Sequence, residues 1–265
     1  RVRDSFMNSN LSNYKKRLIS GMIVYGIFAL GIVPIFTLIM GTHANILTES
    51  MSAMGSMSGM HVWFILWTII FCAFFSSFVG YILILTKNTH SKIRILVYIA
   101  TAMLVFGNIL PFIPDEFPMM MYIHNFCAQI SSISLAIIIV LLSLTMRKYY
   151  PSLFKKSLIF ALCIWGILLT MISLFGTVSL TEMTSIILGS IYLFTVLVWL
   201  YKQENFDPVE SLKDFDASNA MEEVKRLEKK AAEAKEEYIS LEKKAHQARK
   251  EAEELIRAAK RHRQL

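Results

Sequence analysis

Between Leu18 and Thr86 the chain carries no lysine or arginine. So long a cation-free and mostly apolar stretch cannot form the surface of a water-soluble domain. Lipid offers backbone N–H and C=O groups no partner, so a chain can cross it as helices of roughly 20 apolar residues. Six segments qualify: 18–40, 62–86, 93–113, 122–146, 157–178 and 184–201. The charged fraction, 18%, lies below the roughly 25% of ordinary globular domains. The chain therefore reads as an all-α membrane protein, a six-transmembrane-helix bundle over residues 18–201. The first run is too long for a signal peptide and is taken as the first span.

The cations set a direction. Arg1, Arg3, Lys15, Lys16 and Arg17 precede the first span; Lys87, Lys92 and Arg94 lie in the second connection; Arg147, Lys148, Lys155 and Lys156 lie in the fourth. The first, third and fifth connections hold Glu49, Asp115, Glu116 and Glu182, with no lysine or arginine. Basic residues collect on the cytoplasmic side. Both termini are expected in the cytoplasm, with residues 1–17 as a cytoplasmic N-terminal segment.

Residues 202–220 are acidic, carry one proline and lack helical periodicity, which reads as a linker. From Val224 the pattern changes. Val224, Leu227, Ala231, Ala234, Tyr238, Leu241, Ala245, Ala248, Ala252, Leu255 and Ala259 alternate spacings of three and four, a heptad seam flanked by Glu and Lys. The expectation over 221–265 is a long cytoplasmic coiled-coil helix, about 65 Å at 1.5 Å per residue. An exposed apolar seam implies a partner, most simply a second copy, so a homo-oligomer through the C-terminal helix is expected. The tail interleaves 13 basic with 10 acidic residues, which argues against nucleic-acid binding. "SNAM", Ser218 to Met221, has the look of an engineered junction with a grafted module behind it, so the function is not rested on the tail.

Two groups of side chains invite chemistry. "MSAMGSMSGMH" sets Met51, Met54, Met57 and Met60 three apart, with His61 next. Thioethers and imidazole suit soft metals, but methionine also fills gaps in packing, and no Met or Cys track continues into the spans. Packing or an interfacial helix is the reading, with no metal or other cofactor assigned. The second group is polar: His61, Asn108, His124, Asn125 and Glu182, all placed at the outer side by the charge alternation. Gln129, Ser131, Ser132 and Ser134 continue that polarity inward. These residues are the candidate ligand-binding set for an outward-opening cavity, against the plainer possibility of hydrogen bonds that stitch spans together. His43, His61 and His124 share that side with Asp115, so a metal-dependent hydrolase is conceivable, though His-Glu-x-x-His and Gly-x-Ser-x-Gly are both missing. No catalytic residue is assigned. Cys72, Cys127 and Cys163 fall within apolar runs and read as small buried hydrophobes.

The segments "IHNFCAQISSISLAIIIVLLS", "SLFKKSLIFALCIWGILLTMISLFG" and "SLTEMTSIILGSIYLF" resemble a bacterial family of six-span membrane proteins of unknown function, allied to the eukaryotic Frag/DRAM/Sfk group. The resemblance covers about residues 18–201 and leaves out the tail. It implies a compact bundle in the bacterial cytoplasmic membrane, and it leans toward lipid handling. The expected function is non-enzymatic: binding, sensing or scaffolding, with membrane lipids engaged at an outer-facing cavity. The alternative is a small-solute transporter or channel, soft metals such as copper included.

Overall fold

The computed structural model describes residues 2–43, 45–53, 59–87, 91–110, 117–147, 149–203 and 206–262; among them there is no strand. Among the described residues six helices are long and apolar enough to cross a membrane: Asn13–Gly41, His61–Leu85, Lys92–Ile109, Pro118–Thr145, Pro151–Phe175 and Ser179–Tyr201. They are the spans of a multi-pass membrane protein, first to sixth.

Their boundaries follow local chemistry. The third span stops at Ile109 rather than 113; Leu110 sits in a bend before Pro111, which disfavours helical geometry in the residue ahead of it. The fifth begins at Pro151 rather than 157, with the proline at the helix start where its missing N–H goes unused. Lys155 and Lys156 therefore ride in its opening turns. It ends where Gly176 takes φ 75°. The sixth begins at Ser179 rather than 184. Glu182, expected in the connection, lies instead in the first helical turn, where the helix dipole favours a carboxylate. Inside the first span a π turn, Phe28–Ile32, ends two residues before Pro34. Proline offers no N–H to the carbonyl four residues back, and a π turn is one way a helix absorbs that loss.

Spans consecutive in the chain run antiparallel. At one end the Tyr81 and Tyr201 hydroxyls lie 3.3 Å apart, and a Cβ on Gly21 would sit 2.7 Å from the Tyr81 hydroxyl. At the other, Gly41 is pressed against Met183 so closely that any Cβ would overlap its thioether. The first is here the basic end, because the cations of the even-numbered connections gather there; the second is the neutral end.

The second span is the axis of the bundle: 56% of its apolar window is buried, against 11% for the fifth. Its aromatic residues face the first span in a ladder. Phe36 stacks on Trp67 at 5.5 Å, Phe28 on Phe74 at 5.5 Å and Tyr25 on Phe78 at 4.3 Å, the offset-stacked geometry aromatic pairs favour. The third and fourth spans close over small residues: a Cβ on Gly107 would lie 3.0 Å from the Cys127 Cβ. Ile23, Trp63, Ile159 and Leu174 are exposed, as side chains that meet lipid tails can be. Cys72 and Cys127 are buried as expected. Cys163 is exposed on the outward face of the fifth span, because that span buries so little of itself.

The chain divides into two compact units, residues 1–212 and 213–265. The expected linker 202–220 is largely helical: one helix runs Pro208–His262. Asp207 caps it, its carboxylate accepting the N–H groups of Val209 at 2.9 Å and Glu210 at 3.1 Å. That cap is a local device, independent of apolar periodicity. Within the first unit, Phe206 meets Tyr150 and Tyr201 edge-on, Leu212 is buried, and Glu210 pairs with Lys87 at 3.3 Å. In the second unit Val224, Leu227 and Leu241 are exposed along the helix.

Candidate functional site

The fourth span carries two polar faces, and the structure separates them. His124, Cys127, Ser131, Ser134, Ile138 and Leu142 are buried, spaced as one side of a 3.6-residue helix. Asn125, Gln129 and Ser132 are exposed, and their side chains make no hydrogen bond among the described residues. Consecutive residues on a helix diverge by about 100°, so His124 and Asn125 cannot look the same way.

The buried face carries hydrogen bonds between spans. The His124 Nδ1–H donates to the Gly107 carbonyl at 2.6 Å. Asn108, next in the chain, donates through Nδ2 to Thr68 Oγ1 at 2.9 Å, and Thr68 donates to the Phe64 carbonyl at 2.9 Å. His124, Asn108 and Thr68 thus tie the second, third and fourth spans together near the neutral end.

Glu182 has a different neighbourhood. Its Oε2 accepts the Met51 N–H at 2.8 Å. The carbonyls of Glu49 and Ile46 accept the N–H groups of Ser179 at 2.7 Å and Leu180 at 3.0 Å. The first connection therefore supplies the acceptors that the start of the sixth span lacks. Met51 is buried and Met60 packs half-buried against the core, as the packing reading of the methionines requires; Met54 and Met57 lie outside the described residues. His61 is half-buried, and the His43 Nδ1–H donates to the Ile39 carbonyl at 2.6 Å. Among the described residues no three His, Cys, Asp or Glu side chains gather as metal ligands, so His43, His61 and His124 do not converge; Asp115 lies outside those residues. Of the five expected ligand residues, His124 and Asn108 share one neighbourhood. Glu182 belongs to another, and Asn125 is exposed on a different side of its helix from His124.

The exposed face leads to residues that the sequence reading missed. Asn125 and Ser143 are 18 residues apart, five turns at 3.6 residues each, so they share a side of the helix. Ser143 is fully buried. Its hydroxyl lies 2.7 Å from that of Ser157 in the fifth span and 2.6 Å from that of Tyr192 in the sixth. Ser157 and Tyr192 are 2.8 Å apart, and Tyr192 also donates to the Ile139 carbonyl at 3.2 Å. Three hydroxyls from three spans seal the basic end of this face.

Towards the neutral end the packing loosens. The fifth span buries Leu153, Ser157, Ala161 and Ile164, the last just past its midpoint; from Trp165 to Phe175 no residue is fully buried, and Leu168 packs half-buried against the core. One side of the fourth span is thus closed against the fifth and sixth at one end and open along Asn125, Gln129 and Ser132 at the other. Gln129 and Ser132 flank the midpoint of the helix Pro118–Thr145, deep within a hydrocarbon layer about 30 Å thick. No model of a known protein family, characterised protein or solved structure matches the chain.

Proposed function

We propose that this is a non-enzymatic membrane protein that binds a lipid in the seam beside the fourth span. One observation carries the reading: a polar helix face that is sealed at the basic end and exposed at mid-span depth. A carboxamide in hydrocarbon without a hydrogen bond costs several kcal/mol. The Gln129 amide therefore calls for a polar partner, and a lipid headgroup entering laterally supplies one. The exposed apolar side chains Ile167, Ile172 and Phe175 of the fifth span offer its acyl chains a wall. The protein sits in the bacterial cytoplasmic membrane with both termini in the cytoplasm, in keeping with the loop charges and the six-span family it resembles. The exposed Val224, Leu227 and Leu241 favour pairing of the C-terminal helix with a second copy.

The test is photolabelling of the full chain in bilayers with lipids that carry a diazirine in the acyl chain. Adducts are expected on residues 125–136 and 165–175, and lost in Asn125→Leu/Gln129→Leu. Adducts spread evenly over all spans would reject the site. For the tail, Leu227→Asp/Leu241→Asp should halve the mass of the solubilised particle or reduce it further; an unchanged mass rejects pairing there.

A further inference from the structure

We infer that the seam selects lipids whose headgroups are uncharged and hydroxyl-bearing, such as diacylglycerol or neutral glycosyl lipids, over those that carry phosphate. This rests on the lipid-binding reading above and adds the ligand class to it.

The exposed face presents two carboxamides and one hydroxyl, Asn125, Gln129 and Ser132. These groups donate and accept at once and carry no charge. A sugar or glycerol hydroxyl has the same double character. Asn125 to Ser132 covers about 10 Å along the axis at 1.5 Å per residue, room for one or two sugar rings or a glycerol with its ester carbonyls.

A phosphate would find no counter-charge there. The first, third and fifth connections hold no lysine or arginine; the cations of the bundle sit at the opposite end. A phosphate drawn to the depth of Gln129 would be an unpaired charge at low dielectric. A zwitterionic headgroup carries its ammonium on a phosphate and meets the same cost.

The experiment uses the full chain in nanodiscs that contain equal mole fractions of two diazirine lipids, a glucosyl diacylglycerol and a phosphatidylglycerol with identical acyl chains. The expected result is at least tenfold more adduct from the glucosyl probe on residues 125–136 and 165–175. Equal yields from both probes at those residues would overturn the selectivity while the binding site stands. No adduct there from either probe would remove the site as well. In Gln129→Lys the added cation should raise the phosphatidylglycerol yield at the seam severalfold. An unchanged ratio would show that charge does not set the choice, and the wild-type comparison stands on its own if that variant does not fold. In a Cys163→Ser background, Gln129→Cys should give no disulfide between copies. Efficient crosslinking would make this face a subunit interface and overturn the proposal.

Discussion

The hydroxyls of Ser143 and Tyr192 lie 2.6 Å apart across 49 residues of chain, and Ser157 closes the triangle. Buried in the bundle, each hydroxyl has the others as its alternative to an unmet polar group. Hydrogen bonds between membrane helices average about 0.6 kcal/mol and reach about 1.7 kcal/mol. Tyr192→Phe and Ser143→Ala should each lower stability by about 0.5–1.5 kcal/mol in SDS-titration unfolding. The double variant should cost less than the sum, because both remove the same bond. Strict additivity would mean that the triangle does not hold the three spans.

Gly41 packs closely against Met183 at the neutral end. A Cβ on Gly41 would overlap the Met183 thioether, and Met183 is buried. Gly41→Ala should therefore cost about 1–3 kcal/mol, the usual range for an overfilled core. Because methionine is flexible, the strain should be relieved in part by Met183→Ala, so that the double variant unfolds later than the sum of the two single losses predicts. If Gly41→Ala is neutral on its own, the first and sixth spans do not meet this closely.

Much of the bundle is legible in the sequence, because a hydrocarbon solvent leaves one solution for each long apolar run. The starts of the spans were harder. Pro151 and Ser179 begin helices several residues ahead of the apolar stretch, since a proline at the first position and an acid in the first turn stabilise a helix without adding hydropathy. The candidate site was half legible. Polarity at His124, Asn125 and Gln129 is visible in one line of sequence, but its division between a buried and an open face is a matter of phase. The 18-residue interval from Asn125 to Ser143 held that information. It goes unnoticed because Ser143 lies in an apolar run and its partners Ser157 and Tyr192 come from other spans. The tail helix was placed too late for a related reason: Asp207 starts it by capping, ahead of any heptad.

Glu182 pins the first connection to the sixth span through the Met51 N–H. Hydrogen bonds to charged groups contribute about 1.5–3 kcal/mol. Glu182→Ala should speed exchange of the Met51 amide roughly 10- to 100-fold, read by hydrogen exchange of a peptide that covers residues 45–53. Glu182→Gln keeps a carbonyl acceptor and loses only the charge, so its effect should fall between wild type and Ala. Exchange at Met51 that ignores both substitutions would show that the connection is held by Met51 and Ile46 packing alone.

The root of the C-terminal helix is held at the basic end by Phe206 between Tyr150 and Tyr201 and by Leu212, with the Lys87–Glu210 pair beside them. Exposed ion pairs contribute about 0–1 kcal/mol, so the rings and Leu212 should dominate. Phe206→Ala should raise protease cleavage at Lys213 severalfold, whereas Glu210→Gln should barely change it. Burial raises the Tyr150 phenol above its ordinary value of 10.0; Lys87 opposes that rise and Glu210 adds to it. With the docked value raised, the neutral phenol favours docking below pH 10, and that contribution fades as pH climbs through the docked value. Cleavage at Lys213 by an alkaline protease should accordingly increase above about pH 10 in the wild type. The discriminating comparison is Tyr150→Phe, which keeps the Lys87–Glu210 pair and removes the phenol. Its rise should be shallower; an identical rise would show that Tyr150 does not cause the alkaline release.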